Sequence, residues 1–592
     1  MQSGPAPSDT KNLILALVLA SIVMVGWQYF YERPRIAAQK AAADIELQKI
    51  EAAQKTRISQ NAARGASPSL SAAASEEKIK ASPRIKIQSN TLHGSIALRG
   101  AQLNDITLAT YHETLKKNAA EVRLLDHRKN PYSANFGLLS ADASVIVPDQ
   151  KTLWKTSSTA LTPETPLVLT YDNAQGLVFE KTIAVDAHYM FTITMRVKNT
   201  SGKAVELFPY GLIRRTPNAG KKHDRNFSLM HEGPLGVMGG ELKHINYEEL
   251  REDGDVVTEG TKGWAGITDK YWLTALIPGQ SSAVDVAFRH HTHNTQDRYQ
   301  VDMRGSGVRI NSGESHDFST RFYAGAKEVK LLDQYGKLLG IPLFDRAVDF
   351  GMLYFLTKPI FLILSFFHSI IGNFGVAILL LTVCIKALMY PLANKSYTSM
   401  SQMKLLMPKM QEIREKFKDD KMKMNLEIME MYKREKVNPM SGCLPILLQM
   451  PVFFALYKVL FVTIEMRHAP FFGWVQDLSA PDPTSILNLF GLLPFDVSGL
   501  PAFLSIGIWP LIMCATMVLQ QRMNPKPADP VQATIMAWMP FIFLFMFASF
   551  PAGLVIYWAW NNILSIAQQW IIQRRLQKKH PELAKARNAG SK

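Results

Sequence analysis

The chain has 592 residues, 66 Lys and Arg against 50 Asp and Glu (formal net charge +16), and 47% hydrophobic residues. That length exceeds a single domain, and the hydropathy is uneven: residues 85–340 read as a polar soluble domain, residues 353–573 as a series of long apolar runs. The three cysteines (Cys384, Cys443, Cys514) all lie in the apolar half, which excludes a disulfide framework or a cysteine metal site in the polar half.

Residues 12–31 are apolar over a length sufficient to cross a bilayer and end in Trp27, Tyr29, Phe30 and Tyr31. An aromatic belt in place of a small-residue cleavage site predicts an uncleaved anchor over 1–35, with a cleaved signal peptide as the alternative. Residues 36–84, rich in Ala, Ser, Gln and Lys, bury little and read as a linker. From Ile85 the periodicity is two. Phe191 to Lys198 alternates apolar and polar and stops at Asn199-Thr-Ser-Gly202, and the stretches Gly94 to Gly100 and Leu103 to Tyr111 read alike. These short punctuated strands predict a large all-β sandwich over 85–345. His290, His291 and His293 form no metal site by this reading, since adjacent strand residues point to opposite faces. The glycines of Gly233-Pro-Leu-Gly236 and Gly239-Gly240 are expected in turns, because a phosphate cradle needs a strand–helix setting.

Apolar spans are expected near 373–392, 443–463, 503–521, 533–549 and 552–573, six with the anchor. Residues 350–371 are expected to form an interfacial amphipathic helix, with Lys358-Pro359 interrupting any span and Lys358, Ser365, His368 and Ser369 sharing a face. Loop 394–440 holds 11 Lys and Arg, the tail after 573 seven, and loop 464–502 one Arg against four acids. Positive-inside bias places the first two in the cytoplasm and the third outside. Arg33, Arg35 and Lys40 after the anchor favour a seven-span alternative with the domain cytoplasmic. Within 395–436, Met403, Met407, Met410, Ile413 and Phe417 fall at helical spacing. Asp419-Asp420 makes a turn, and Met422, Leu426 and Met429 resume the pattern, which describes two short antiparallel amphipathic helices. Of 26 methionines, 19 follow residue 350; a soft, unbranched side chain suits surfaces that meet varied apolar ligands, and ordinary core filling as well.

Lys386 is embedded in Val376-Ala-Ile-Leu-Leu-Leu-Thr-Val-Cys-Ile-Lys386, and no Asp or Glu lies in a neighbouring span. A charge inside a bilayer costs roughly 2.5–3.5 kcal/mol on insertion scales. Either it faces a wet, positive cavity or it snorkels to the interface near Pro391. Lys458, the other charge within a span, reads as interfacial.

Dense motifs then carry a resemblance: Met389-Tyr-Pro391-Leu, Tyr432-Lys-Arg-Glu-Lys-Val-Asn-Pro439, Gly442-Cys-Leu-Pro-Ile-Leu-Leu-Gln-Met-Pro451, Leu478-Ser-Ala-Pro-Asp-Pro483 and Phe550-Pro-Ala-Gly-Leu-Val-Ile-Tyr557. Over 350–575 the chain resembles the YidC/Oxa/Alb family of membrane protein insertases in its Gram-negative form. The resemblance implies a polytopic α-helical protein of the bacterial inner membrane, both termini cytoplasmic. An anchor, a periplasmic β-sandwich and a five-helix core (372–575) precede a basic tail (576–592). It implies a hydrophilic groove open to the cytoplasm and to lipid, with Lys386 as its charge where many members have Arg. Thr382, Trp558 and Asn562 match polar or aromatic groove positions, and Met450, Pro451 and Phe453 a greasy face along which a substrate helix slides. No cofactor, nucleotide or covalent step is implied. The implied partners are nascent membrane proteins, membrane lipids, the Sec translocon and the ribosome, the last through the hairpin and Arg574, Arg575, Lys578 and Lys579; plain positive-inside anchoring is the other reading of that tail. A cation-lined small-molecule transporter is the rival, although the chain carries no internal repeat.

Overall fold

A computed structural model describes residues 82–579 apart from 129–130, 218–229, 294–295, 419, 436–443, 494–504 and 525–529. The expected anchor at 1–35, nearly all of the linker, the Asp419 half of the hairpin turn and the tail beyond 579 therefore lie outside the described residues.

Alternation of apolar and polar residues builds two stacked sheets. The larger has eleven strands and the smaller eight. Met190–Asn199 pairs with Leu177–Val185 on one side and Ser315–Ala326 on the other, so the Phe191 to Lys198 alternation lies in the middle of the smaller sheet. Ala134, Phe136, Ile213 and Val301 project from the larger sheet into a shared core, where the Phe136 ring meets Phe322 of the smaller sheet edge-on at 5.5 Å. His290 and His291 take opposite faces of strand Ala283–His293, and His290 Nε2 lies 2.9 Å from Asp297. One expectation is corrected. Gly233 to Gly236 lie in strand Gly233–Met238, buried throughout between Glu241–His244 and Gly263–Thr268. A Cβ on Gly236 would meet the Trp264 carbonyl at 2.9 Å, so close strand packing, not a turn, uses that glycine. Gly239 and Gly240 do form the turn, both at positive φ.

The sandwich ends in helix α1 (Val329–Leu338). Among the described residues eight further α-helices follow: α2 (Tyr354–Ile371), α3 (Phe374–Leu388), α4 (Tyr390–Lys416), α5 (Lys421–Arg434), α6 (Leu444–Val462), α7 (Ile508–Met523), α8 (Pro530–Phe547) and α9 (Ala552–Lys579). Pro359 does not interrupt α2. The helix runs through it, at the cost of the bond that the Phe355 carbonyl would otherwise accept from residue 359. By length and hydropathy α2 matches a spanning helix. Of its expected shared polar face, Ser365 is buried and the His368 ring stacks on Phe374 at 3.7 Å. On α8, Ile535, Trp538, Phe541, Ile542 and Phe545 are all exposed, an apolar surface that water does not tolerate and lipid does.

The soluble domain is seated on the helical half by a continuous apolar cluster and by polar ties around it. Lys358 bonds Asp333 and Asp345 at 2.7 Å each, Lys458 reaches Asp349 at 3.4 Å, and Arg467 donates to the carbonyls of His112 and Glu113. Lys458 is thus held at the domain-facing end of α6. Just beyond α6, half-buried Glu465 accepts a hydrogen bond from the Val329 N–H at the first turn of α1 (3.0 Å).

Burial pushes the Glu465 carboxyl up to about 7, from 4.5. Its folded-state value lies above its unfolded one, so its contribution to stability is full below pH 4.5 and is lost as pH rises through about 7. Thermal unfolding of the purified protein should therefore show a midpoint that falls between pH 5 and pH 8. Glu465→Gln, which stays neutral and keeps an acceptor for Val329, should remove about 1–3 kcal/mol of that pH dependence.

Candidate functional site

Helix α3 ends in a kink at Met389, and α4 leaves at 67° to it. The Tyr390-Pro391 step produces this geometry, since proline is tolerated at a helix start but not in its continuation. Lys386 sits one turn before the kink. Its ammonium donates to the Ser565 hydroxyl of α9 at 2.8 Å, and no carboxylate pairs with it among the described residues. Thr382, one turn earlier, is buried and donates to its own helix at Ile378 (2.7 Å).

The α9 face opposite α3 and α7 is a single stripe. Trp558, Asn562, Ser565 and Gln569 recur at spacings of four, three and four. Asn562 donates to Thr516 of α7 at 3.1 Å, and Gln569 donates to the Met523 carbonyl and Asn524 near the end of α7. Asn562, Ser565 and Gln569 are all buried. Toward the start of α9 the stripe turns apolar: the Trp558 ring meets Phe453 at 4.7 Å, Phe547 at 5.0 Å and Phe543 at 5.8 Å. Trp558 therefore belongs to an aromatic plug and not to the surroundings of Lys386. The bundle is dry at the α9 start and polar toward its C-terminal end.

The expected slide residues are separated. Met450 and Pro451 are exposed, with Phe454 beside them, whereas Phe453 turns inward against Trp558. The exposed α6 face is then Met450, Pro451 and Phe454. Ser565, Gln569 and Thr516, which sequence reasoning missed, complete the polar wall. Extending the Trp558–Asn562 spacing along the same face would have found the first two.

The hairpin differs from its expected form in length and in face. Its first helix, α4, runs for 27 residues directly from the kink. Leu406, Met410 and Met431 form its core, lined by Met403, Ile413, Ile428 and Tyr432. Met422, Leu426 and Met429 point away from that core and are 81%, 58% and 59% exposed. The second helix packs through the 428/431/432 face because Met431 and Tyr432 meet Met410, the Tyr432 hydroxyl lying 3.2 Å from the Met410 sulfur. Phe417 is half-buried beyond the end of α4, and the Met407 side chain lies outside the described residues.

Residues 366–579 match the family described as 60Kd inner membrane protein, and residues 84–363 the YidC periplasmic domain. A protein of Beijerinckia indica named membrane protein insertase YidC is 46% identical over 588 residues, covering 96% of each chain. One of the same name from Granulibacter bethesdensis is 47% identical over 98% of this chain and the whole of its own. A solved structure described as an active YidC insertase with its first transmembrane domain resolved is similar at 15% identity and a TM-score of 0.35, covering 82% of this chain and 91% of that one. Nothing among these matches supports the transporter reading. With two family matches that together run from the sandwich to the end of α9, and relatives this similar over nearly their full length, the chain belongs to the YidC family of membrane protein insertases, inner-membrane proteins with a periplasmic domain.

Proposed function

We propose that this chain moves apolar segments of newly made proteins into the inner membrane along the wall formed by α3, α6 and α9, with Lys386 as the charge that admits a polar or acidic substrate flank. The observation that carries this reading is the Lys386 ammonium, held by a neutral hydroxyl and no carboxylate among the described residues. A substrate carboxylate arriving there meets an uncompensated positive charge in a medium less screening than water. The substrate's apolar segment slides over Met450, Pro451 and Phe454 into lipid. Its transfer supplies the drive, at roughly 25 cal/mol per Å² of apolar area. No covalent step enters, and the β-sandwich acts as an interaction or scaffolding domain without catalysis. The exposed Met422, Leu426 and Met429 face of α5 meets the incoming segment first, as soft side chains suit. The termini lie in the cytoplasm, α2 lies along the outer interface, and the basic end of α9 faces ribosomal RNA. The Sec translocon is a partner for substrates with large external domains.

Purified protein in liposomes, given a single-span substrate with an acidic flank, tests the charge by protease protection. Lys386→Arg should keep insertion, while Lys386→Ala and Lys386→Glu should lose about tenfold, a 1.4 kcal/mol effect on the limiting step. Equal insertion by all four proteins would remove Lys386 from the mechanism. The hairpin gives a second test. Replacing Met422, Leu426 and Met429 together by Ser should leave the melting curve unchanged and cut crosslinking from α5 to a stalled nascent chain several-fold. Met431→Ala should instead loosen the hairpin, at about 2–4 kcal/mol for a buried methionine.

A further inference from the structure

One end of the sandwich meets the bundle, and a hairpin of the larger sheet projects from that end. Tyr189 bonds Glu328 at the cap of α1 there, and Lys270 lies over the Phe461 ring of α6 at 3.7 Å. Strand Gln102–His112 arrives at the same end. Arg467 donates to the carbonyls of His112 (2.6 Å) and Glu113 (3.3 Å), which pins the end of that strand close to where the apolar run of α6 stops. The hairpin then runs on. Residues 113–120 carry the chain past Arg467 and back to Glu121, the partner of His112. All of 112–118 are exposed, Leu115 at 54%. A tip laid on the bundle would lose that exposure, so this one overhangs the rim of the bundle. In an inner-membrane protein the surface below that rim is lipid.

The composition of the tip fits that place. Leu115-Lys116-Lys117 sets a large apolar side chain beside two ammonium groups, and neither lysine has an ion partner among the described residues. Glu113, the one acid of the tip, acts on Arg467, so the charge of the two lysines is uncompensated. A single exposed leucine is ordinary on a protein surface. Held between a pinned strand end and two lysines at the edge of a bilayer, it has an amphipathic surface within reach. Lysine stems are long enough to bring their ammonium groups to headgroup phosphates while an apolar neighbour enters the acyl boundary. A free phosphate ion would engage the lysines and leave Leu115 in water, so the set selects a lipid. We infer that the hairpin tip 113–118 docks on anionic phospholipid of the leaflet on the soluble domain's side, Leu115 entering the headgroup layer and Lys116 and Lys117 taking the phosphates. Nothing in this contact depends on the Lys386 groove.

Full-length protein with its three cysteines replaced by alanine, carrying Thr114→Cys labelled with an environment-sensitive fluorophore, tests this in nanodiscs. One set of discs holds phosphatidylcholine alone, the other equal parts of phosphatidylcholine and phosphatidylglycerol. In the anionic discs at low salt the emission should shift to the blue. A quencher carried on lipid near the headgroup should dim it, and aqueous iodide should not. Each lysine should contribute about fivefold to the ratio of docked to free tip, so Lys116→Gln combined with Lys117→Gln should lower that ratio about 25-fold. High salt should act on the wild type in the same direction. Leu115→Ser should weaken lipid quenching at any salt. These substitutions lie at an exposed tip and should leave the melting midpoint unchanged. A label at Val178→Cys is the control: Val178 lies at the far end of strand Leu177–Val185, about 25 Å from Asp186 at the usual rise, and should stay open to iodide throughout. Iodide quenching of the label at 114 in both kinds of disc would overturn the inference, as would lipid quenching indifferent to lipid charge and to both lysines. A label shielded from both quenchers would overturn it in favour of a protein surface over the tip.

Discussion

The arrangement depends on one unfavourable act: placing the Lys386 ammonium in the wall of an otherwise apolar helix. A lysine so placed needs either a carboxylate or a polar recess. A carboxylate would neutralise it. The chain uses a hydroxyl instead. Ser565 orients the ammonium at 2.8 Å without cancelling its charge, and the rest of the polar stripe on α9 ties that helix to α7 through Asn562 and Gln569. The charge is positioned by neutral groups, and it stays available because they are neutral.

Polarity along α9 then gives the bundle a direction. At the start of the helix Trp558 locks with Phe453, Phe543 and Phe547. The turn before it is fastened by backbone bonds from Ala552 to Ala480 and from Gly553 to Leu478. A Cβ on Gly553 would press on Leu460 and on the Leu478 backbone and side chain, each 3.1–3.3 Å away, so a glycine permits the seal to close. Asp482 adds to it by accepting from the Trp474 indole and from the backbone of Trp509 at the start of α7. A bundle sealed at one end and polar toward the other suits the proposed route, in which a flank enters part-way and the apolar segment leaves sideways.

Much of this was legible in the chain before any coordinates. Lys386 stood out as a charge with no acidic neighbour in an apolar run, and two-residue alternation revealed the sandwich. What the sequence hid was rotation and contact. Met450, Pro451 and Phe453 are near neighbours in sequence, but only packing against Trp558 decides that Phe453 turns inward. The pattern Met422, Leu426, Met429 has helical spacing, yet a second face of the same helix, through Ile428, Met431 and Tyr432, fits Met410 better and wins the core. Periodicity states that a face exists; it does not choose between two faces of similar hydrophobicity. Gly233 and Gly236 misled for a related reason: glycine marks a close approach as readily as a turn.

The seating of the soluble domain bears on how it can act. The ties of Lys358 to Asp333 and Asp345, Lys458 to Asp349, Arg467 to the 112–113 backbone and Glu465 to Val329 lie at or just beyond the ends of α2 and α6 that face the sandwich. The aromatic seal around Trp558 stands between those ties and the polar end of α9. A domain held there cannot touch a substrate flank at Lys386. The described contacts between the domain and the bundle run through α2 and α6, which pack on each other, and α6 packs on α9. Those ties act beside an apolar seat: one buried cluster runs from the sandwich through Phe344, Ala347 and Phe350 to Ile360 and Phe361 of α2, and such close packing resists sliding.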